Sequence, residues 1–265
     1  MRALFAGFLV LLSLPALAAD LTLSLPAGTR TLSTTELLKH PQLQALDIAN
    51  DVAYERPMHY RAIPLAALLE GVKDSDHLQV VALDGFAAEL AAGPVLQQAG
   101  SRAWLAIEDP AQPWPKLGAD KPSAGPFYLV WTNPEASHIG PEQWPFQVAK
   151  ISRLTSLAER FPALLPASDA SADVQAGFAQ LQKNCLACHR LNGAGDAQFG
   201  PDLNLPHNPT EYFSGDFLAR YIRDPQSLRR WPQGKMPGFS PQVLSDAELQ
   251  QLIAYLRHMA GRKAS

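Results

Sequence analysis

Cysteine is nearly missing from this 265-residue sequence, which has only Cys185 and Cys188. A framework of several disulfides, the usual staple of small exported domains, is therefore excluded. A basic excess is missing as well. Twenty-two Lys and Arg stand against 25 Asp and Glu, a formal charge of −3, which argues against a nucleic-acid partner. Beyond the first nineteen residues no apolar run approaches 18 uninterrupted residues, so no membrane span is expected there. What is present is 47% apolar and 18% charged residues with 23 prolines and 17 glycines, a balance that excludes disorder, collagen and coiled coil. At roughly 100 to 200 residues per domain the length suits two folded units.

One apolar run does occur, Leu4 to Leu17, behind Arg2 and ending in Ala16-Leu17-Ala18, an A-x-A-like cleavage site. Residues 1–19 are expected to be an export signal, giving a soluble periplasmic chain. No cysteine stands at the cleavage site, so a lipid anchor is not expected there.

The two cysteines belong to one pentapeptide, Cys185-Leu186-Ala187-Cys188-His189. A disulfide across two intervening residues closes a tiny loop and adds little stability. A thioredoxin-type pair needs a βαβ context, and no such pattern brackets Gln182 to Arg190. Zinc needs four ligands, two of them from elsewhere in the chain. The remaining reading is covalent attachment of one haem c. On a helix, residues i, i+3 and i+4 share a face, so two thiols can reach the two vinyl groups while the imidazole reaches the iron. Cys185 and Cys188 are thus the expected tethers and His189 an expected iron ligand.

Around this pentapeptide the periodicity is helical. Val174, Phe178 and Leu181 repeat at helical spacing behind a cap at Ser171 or Asp173. Ser245 and Glu248 form a capping-box pattern ahead of Leu249, Leu252, Ile253, Leu256 and Ala260. Over roughly Ala172 to Arg262 the sequence resembles the class I c-type cytochromes, an all-α fold. The resemblance implies that the first and last helices cross at Gly177, Phe178 and Tyr255. It also implies Met236 as the sixth iron ligand, in Lys235-Met236-Pro237-Gly238-Phe239, where the following proline favours an extended loop. Met259 continues an apolar stripe and is expected in the core, while His207 and His258 are expected away from the iron. In Gly200-Pro201-Asp202-Leu203 the Pro201 carbonyl would accept the second imidazole proton, the other reading being an ordinary Gly-Pro turn. Tyr212, Phe217, Tyr221 and Ile222 are expected to cover the haem. Trp231 either joins them or turns its indole N–H to a propionate.

The front part reads as a mixed α+β unit. Strands are expected at Leu21–Leu25, His77–Leu83, Phe86–Leu90, Ala103–Ile107, Phe127–Thr132 and Phe146–Leu154, with short helices at Ser33–Leu38 and Pro64–Leu69. The order of Ile63-Pro64-Leu65, Asp84-Gly85-Phe86, Leu105-Ala106 and Gly125-Pro126 resembles a reduced molybdopterin-binding domain of the sulfite oxidase family. That family holds molybdenum through a cysteine thiolate, and both cysteines here lie in the pentapeptide, so molybdenum catalysis is not expected. His40, His59, His77 and His138 have no compact metal-ligand spacing.

The expected organisation is therefore a signal at 1–19, a sulfite-oxidase-like α+β domain lacking the molybdenum cysteine at 20–160, a linker at 161–171 and an all-α cytochrome c domain at 172–265. A haem held by histidine and methionine has no open position, which points to one-electron transfer between redox partner proteins such as a periplasmic dehydrogenase, an oxidase or another cytochrome. The front domain would serve docking. The alternative is a haem-containing dehydrogenase whose substrate or second cofactor sits in the front domain. A gas sensor is a third reading and requires Met236 to leave the iron.

Overall fold

In the computed structural model, residues 19–197 and 199–264 are described. The expected export signal, except its last residue, lies outside them. The front unit is strand-rich. In chain order it contains β1 (Asp20–Leu25), β2 (Gly28–Ser33), the short helix α1 (Thr34–Leu37), β3 (Gln44–Ile48), β4 (Met58–Pro64), β5 (His77–Ala82), β6 (Ala87–Ala91), the short helix α2 (Ala92–Leu96), β7 (Arg102–Ile107), β8 (Phe127–Thr132) and β9 (Val148–Leu154). One sheet runs β2-β1-β9-β5-β6 and the other β3-β4-β7-β8. Among the described strands only β1 and β9 pair in parallel, which lets β1 close against β9.

Alternation explains how these sheets bury a core. Leu21 and Leu23 of β1, and Leu78 and Val80 of β5, point inward and are fully buried, with Ile151 of β9 beside them. In the second sheet β8 is buried from Phe127 to Trp131 on both faces. Its second cover is the segment after it: Trp131 Nε1 donates to Gln143 O at 2.7 Å, and Leu129 N to Pro145 O at 3.0 Å. The Asp84-Gly85 turn forms as expected, with Gly85 at φ +90° and Asp84 Oδ1 accepting from Phe86 N. Three strands were not expected, β2, β3 and β4.

The rear unit is helical: α3 (Leu157–Arg160), α4 (Ala172–Asn184), α5 (Pro209–Tyr212), α6 (Phe217–Arg223), α7 (Pro225–Leu228) and α8 (Asp246–Ala260). Ser171 caps α4 and Ser245 caps α8, the latter with Glu248 in a reciprocal capping box. The two long helices cross at Gly177. A Cβ there would lie 2.0 Å from Gln251 O, so only glycine permits the approach. Phe178 and Tyr255 pack alongside, ring centroids 5.6 Å apart and tilted by 33°.

The expected linker, residues 161–171, packs onto the rear core. Leu164 is fully buried, its carbonyl accepts from Tyr255 Oη at 2.6 Å, and Ala167 N donates to His258 Nε2. Specific pairs then join the units. Arg160 bonds Glu89 and Asp196, Gln79 Nε2 donates to Asp196 Oδ2 at 2.6 Å, and the Phe86 and Phe199 rings lie 6.1 Å apart. Among the described residues no helix is long and apolar enough to cross a membrane.

Candidate cofactor site

A cavity of about 410 Å³ opens between α4, α6, α8 and the loops that connect them. Cys185, Cys188, His189, Pro201, Tyr221 and Met236 all line it. The structure thus brings five of the expected groups, and Pro201 whose carbonyl bonds the imidazole of one of them, to a single space. Trp231 is not among the lining residues. It is 56% exposed, with the Arg229 guanidinium 5.4 Å from its ring centroid. Tyr212 and Ile222 line the wall as expected, together with Phe213, whereas Phe217 is not among the lining residues and is 45% exposed; Met259 is buried in the core as its apolar stripe predicts.

The pentapeptide does not continue α4 as a regular helix. The helix ends at Asn184, and Cys185 stands at its C-cap with φ −122°. One further turn follows, Cys188 N and His189 N both donating to Cys185 O at 3.1 and 2.9 Å. The spacing argument survives, because that single turn still presents both thiols and the imidazole to the cavity. Burial pushes both thiols up, Cys188 to about 11 and Cys185 further, with Glu142 adding to the effect.

His189 is held from two sides. Its Nδ1 meets Pro201 O at 2.8 Å, which as a donor bond fixes the tautomer and leaves Nε2 as the free lone pair. Gly200 packs flat against the ring: a Cβ there would lie 2.4 Å from His189 Cε1. Burial lowers the imidazole's pKa, outweighing the Pro201 bond and Asp202, so the neutral ligand form is favoured.

The loop carrying Pro201 is fixed by polar groups that sequence reading did not single out. Asp202 accepts backbone N–H bonds from Asn192, Gly193, Asn204 and Leu205. Asn192, Asn204 and Asn208 are buried, and their amides bond one another and the carbonyls of Leu256, Met259 and Arg262. This ladder bonds carbonyls in and just beyond the last turn of α8 and ties the histidine-side loop to it. On the opposite wall Arg223 donates to Phe239 O at 2.8 Å, to Leu244 O and to Asp246 Oδ1. Gly238 lies against Arg223 O, where a Cβ would be only 2.5 Å away. Together these clamp the Met236 loop onto α6 and α8.

The donor set fits a haem: two thiols, one imidazole with its far nitrogen committed, one thioether, and largely apolar walls including Leu218, Phe239 and Leu252. One wall residue comes from the other unit. Glu142, in a short 3₁₀ turn at Pro141–Gln143, reaches the cavity beside Asn184.

The Cytochrome c family model matches residues 174–260. A domain of this family implies a covalently bound haem c and haem-based electron transfer, in agreement with the groups on the cavity wall. The match leaves the front unit uncovered, and nothing in the comparisons supports its resemblance to the sulfite oxidase family. No curated protein matches the chain.

Proposed function

We propose that this chain is an exported, periplasmic carrier of single electrons, holding one haem c by thioethers at Cys185 and Cys188, with His189 and Met236 as axial ligands to the iron. The observation that carries the reading is the convergence of these four side chains on one cavity, with His189 Nδ1 committed to the Pro201 carbonyl. The haem supplies a one-electron couple whose ligands need not change. The chain's own residues do the rest. Pro201 orients the imidazole, Arg223 holds the loop that presents the Met236 thioether, and the apolar walls with Tyr221 limit water, which keeps the couple's charge in a low dielectric.

The front unit is read as a partner-docking module of the reduced sulfite-oxidase-like type, joined to the cytochrome unit by the ion pairs of Arg160 with Glu89 and Asp196. Redox partners, a dehydrogenase, an oxidase or another cytochrome, would approach the cavity mouth. There Lys235 lines the wall and Arg229 and Arg230 precede it on the same loop. Optical spectra of the purified oxidised and reduced protein, with metal analysis, test the reading. One iron per chain, retained as pigment through acidified organic solvent, with a low-spin His/Met spectrum, is the expected result. A colourless protein or extractable pigment overturns it, and stoichiometric molybdenum or copper transfers the function to a haem-linked dehydrogenase with a second site in the front unit.

A further inference from the structure

Glu142 belongs to the front unit yet is 6% exposed and lines the cavity that holds Cys185 and Cys188. Neither of its carboxyl oxygens has a partner from another residue among the described residues. Its position is fixed: Trp131 Nε1 bonds Gln143 O, and Gly140 N donates to the Gln143 side chain at 2.9 Å. A buried carboxyl without partners is costly when ionised and cheap when protonated.

The neighbouring amide points the same way. Gln180 Nε2 donates to the Glu248 carboxylate, so Gln180 Oε1 must be the acceptor for Asn184 Nδ2, at 3.1 Å. That orientation leaves Asn184 Oδ1 as a buried acceptor with no partner among the described residues. Asn184 Oδ1 and Glu142 Oε2 flank the same spot, 3.7 and 3.2 Å from where a Gly140 Cβ would be. Two orphan acceptors near one point leave a donor missing there, and a neutral Glu142 would bring an O–H donor to it.

On the reading that this cavity holds the haem, we propose that Glu142 couples a proton to the electron, binding one when the cytochrome unit is reduced and releasing it on oxidation. The balance is one electron from a one-electron donor protein and one proton from solvent per cycle, with the carboxylate becoming a carboxylic acid and no covalent bond to the porphyrin changed. The sign follows from charge. The oxidised centre is one positive charge richer and favours the carboxylate; the reduced centre favours the acid.

Burial pushes Glu142 up to about 7, against weaker opposition from its own backbone N–H and from Lys183, so the exchange falls near neutral pH. The other charged groups around it are few. Lys183 on α4 is half-shielded between Glu142 and Glu248, and burial lowers its own pKa. His138 precedes the turn and its Nδ1 meets Gln242 O at 3.0 Å. On β6, Glu89 is engaged by His77, Gln79 and Arg160. Cys185 and Cys188, once thioethers, no longer titrate.

The test is an equilibrium redox titration of the haem-bearing full chain from pH 5 to pH 9, for the wild type, Glu142→Gln and Lys183→Met. The wild-type potential should fall with pH through a window around 7, by at most about 59 mV per tenfold change in proton activity for a one-electron couple. In Glu142→Gln the slope in that window should flatten and the alkaline potential rise to meet the acid one. Loss of the nearby cation in Lys183→Met should move the window to higher pH with Glu142 still in place. A wild-type potential flat across the range overturns the coupling without any variant. So do equal slopes in wild type and Glu142→Gln, which would assign the proton to the porphyrin's own propionic acids. A chain that carries no thioether-bound haem overturns both this coupling and the site reading beneath it.

Discussion

Replacing Gly177 by alanine sets two effects of opposite sign against each other. In an unobstructed helix interior the change stabilises by about 1 kcal/mol, because glycine gives up more backbone entropy on folding. At the crossing of α4 and α8 the added carbon would stand 2.0 Å from Gln251 O, 2.6 Å from Gln251 C and 2.7 Å from Tyr255 Cβ. The two nearest atoms are backbone, so no side-chain rotation relieves the clash. The helices must part by roughly 1 Å, and a gap of that order forfeits about a quarter to a half of each contact's dispersion energy. Leu181, Leu252, Tyr255 and Leu256 are buried on these two helices. At about 2 kcal/mol of burial each, their loosening removes about 2 to 4 kcal/mol. Net of the helix gain, the expected loss is about 1 to 3 kcal/mol, within the range of overpacked cores. Guanidinium unfolding of the haem-bearing protein, followed by far-ultraviolet circular dichroism and by haem absorbance, measures it. A midpoint at or above the wild-type value, at unchanged slope, would refute the reasoning, because helix propensity would then have outweighed the contact.

Gly200→Ala should push the His189 ring off its bed, since the new Cβ would lie 2.4 Å from Cε1; the check is a weakened low-spin spectrum and carbon monoxide binding by the ferrous protein where the wild type binds none. Arg223→Met removes the donors to Phe239 O and Leu244 O and should cost about 2 kcal/mol, with the methionine-iron absorption band lost at a lower temperature than global unfolding. Acid should loosen the joint between the units: burial would raise Glu89, but His77 and Arg160 outweigh it and hold its pKa below the ordinary 4.5. A depressed carboxylate contributes stability that is present above about pH 4.5 and is lost as pH falls through the lowered value, so proteolysis of the intact chain should accelerate below that pH in the wild type and lose this acid dependence in Glu89→Gln.

Rare residue types made the pentapeptide legible. Two cysteines and a histidine at i, i+3 and i+4 mean little except as a set, and no packing need would put both cysteines of the chain there. Strands β1, β5, β7, β8 and β9 were legible for a different reason, since their apolar residues alternate or run continuously. β2, Gly28–Ser33, is polar and largely exposed along its length, so it carries no alternation to read. β4 does alternate in burial, but its inward residues include Met58 and Tyr60 and its outward ones His59 and Arg61, a contrast too weak to stand out by hydropathy. The spacing of the pentapeptide does not fix how far a helix runs: one turn at the end of α4 meets it as well as a longer helix would. The span Trp131 to Trp144 reads equally as a cleft wall or as packing and turns, and nothing in it singles out Glu142. Gly140-Pro141-Glu142-Gln143 has the composition of a turn, and the burial of its carboxyl comes from neighbours distant in sequence, Asn184 and Val243 among those beside the turn.

That burial depends on the joint, and the joint is of a kind that salt barely touches. The front unit is acidic, with 10 basic and 15 acidic residues over 20–156, and the rear is nearly balanced, with 11 against 10 over 157–265. Such a difference draws the halves together only weakly, since exposed charges are screened beyond about 8 Å at physiological ionic strength. Glu89 is different. Its side chain is 3% exposed and receives Arg160, His77 and Gln79 at once, so water and ions cannot replace its partners. Arg160 then spans to Asp196, in the stretch that also carries Phe199 toward Phe86 and leads to Gly200 and Pro201. The group that orients His189 and the group that brings Glu142 to the cavity are therefore braced by one buried carboxylate. For this reason loosening by acid should disturb both walls of the cavity together, while high salt should leave both in place.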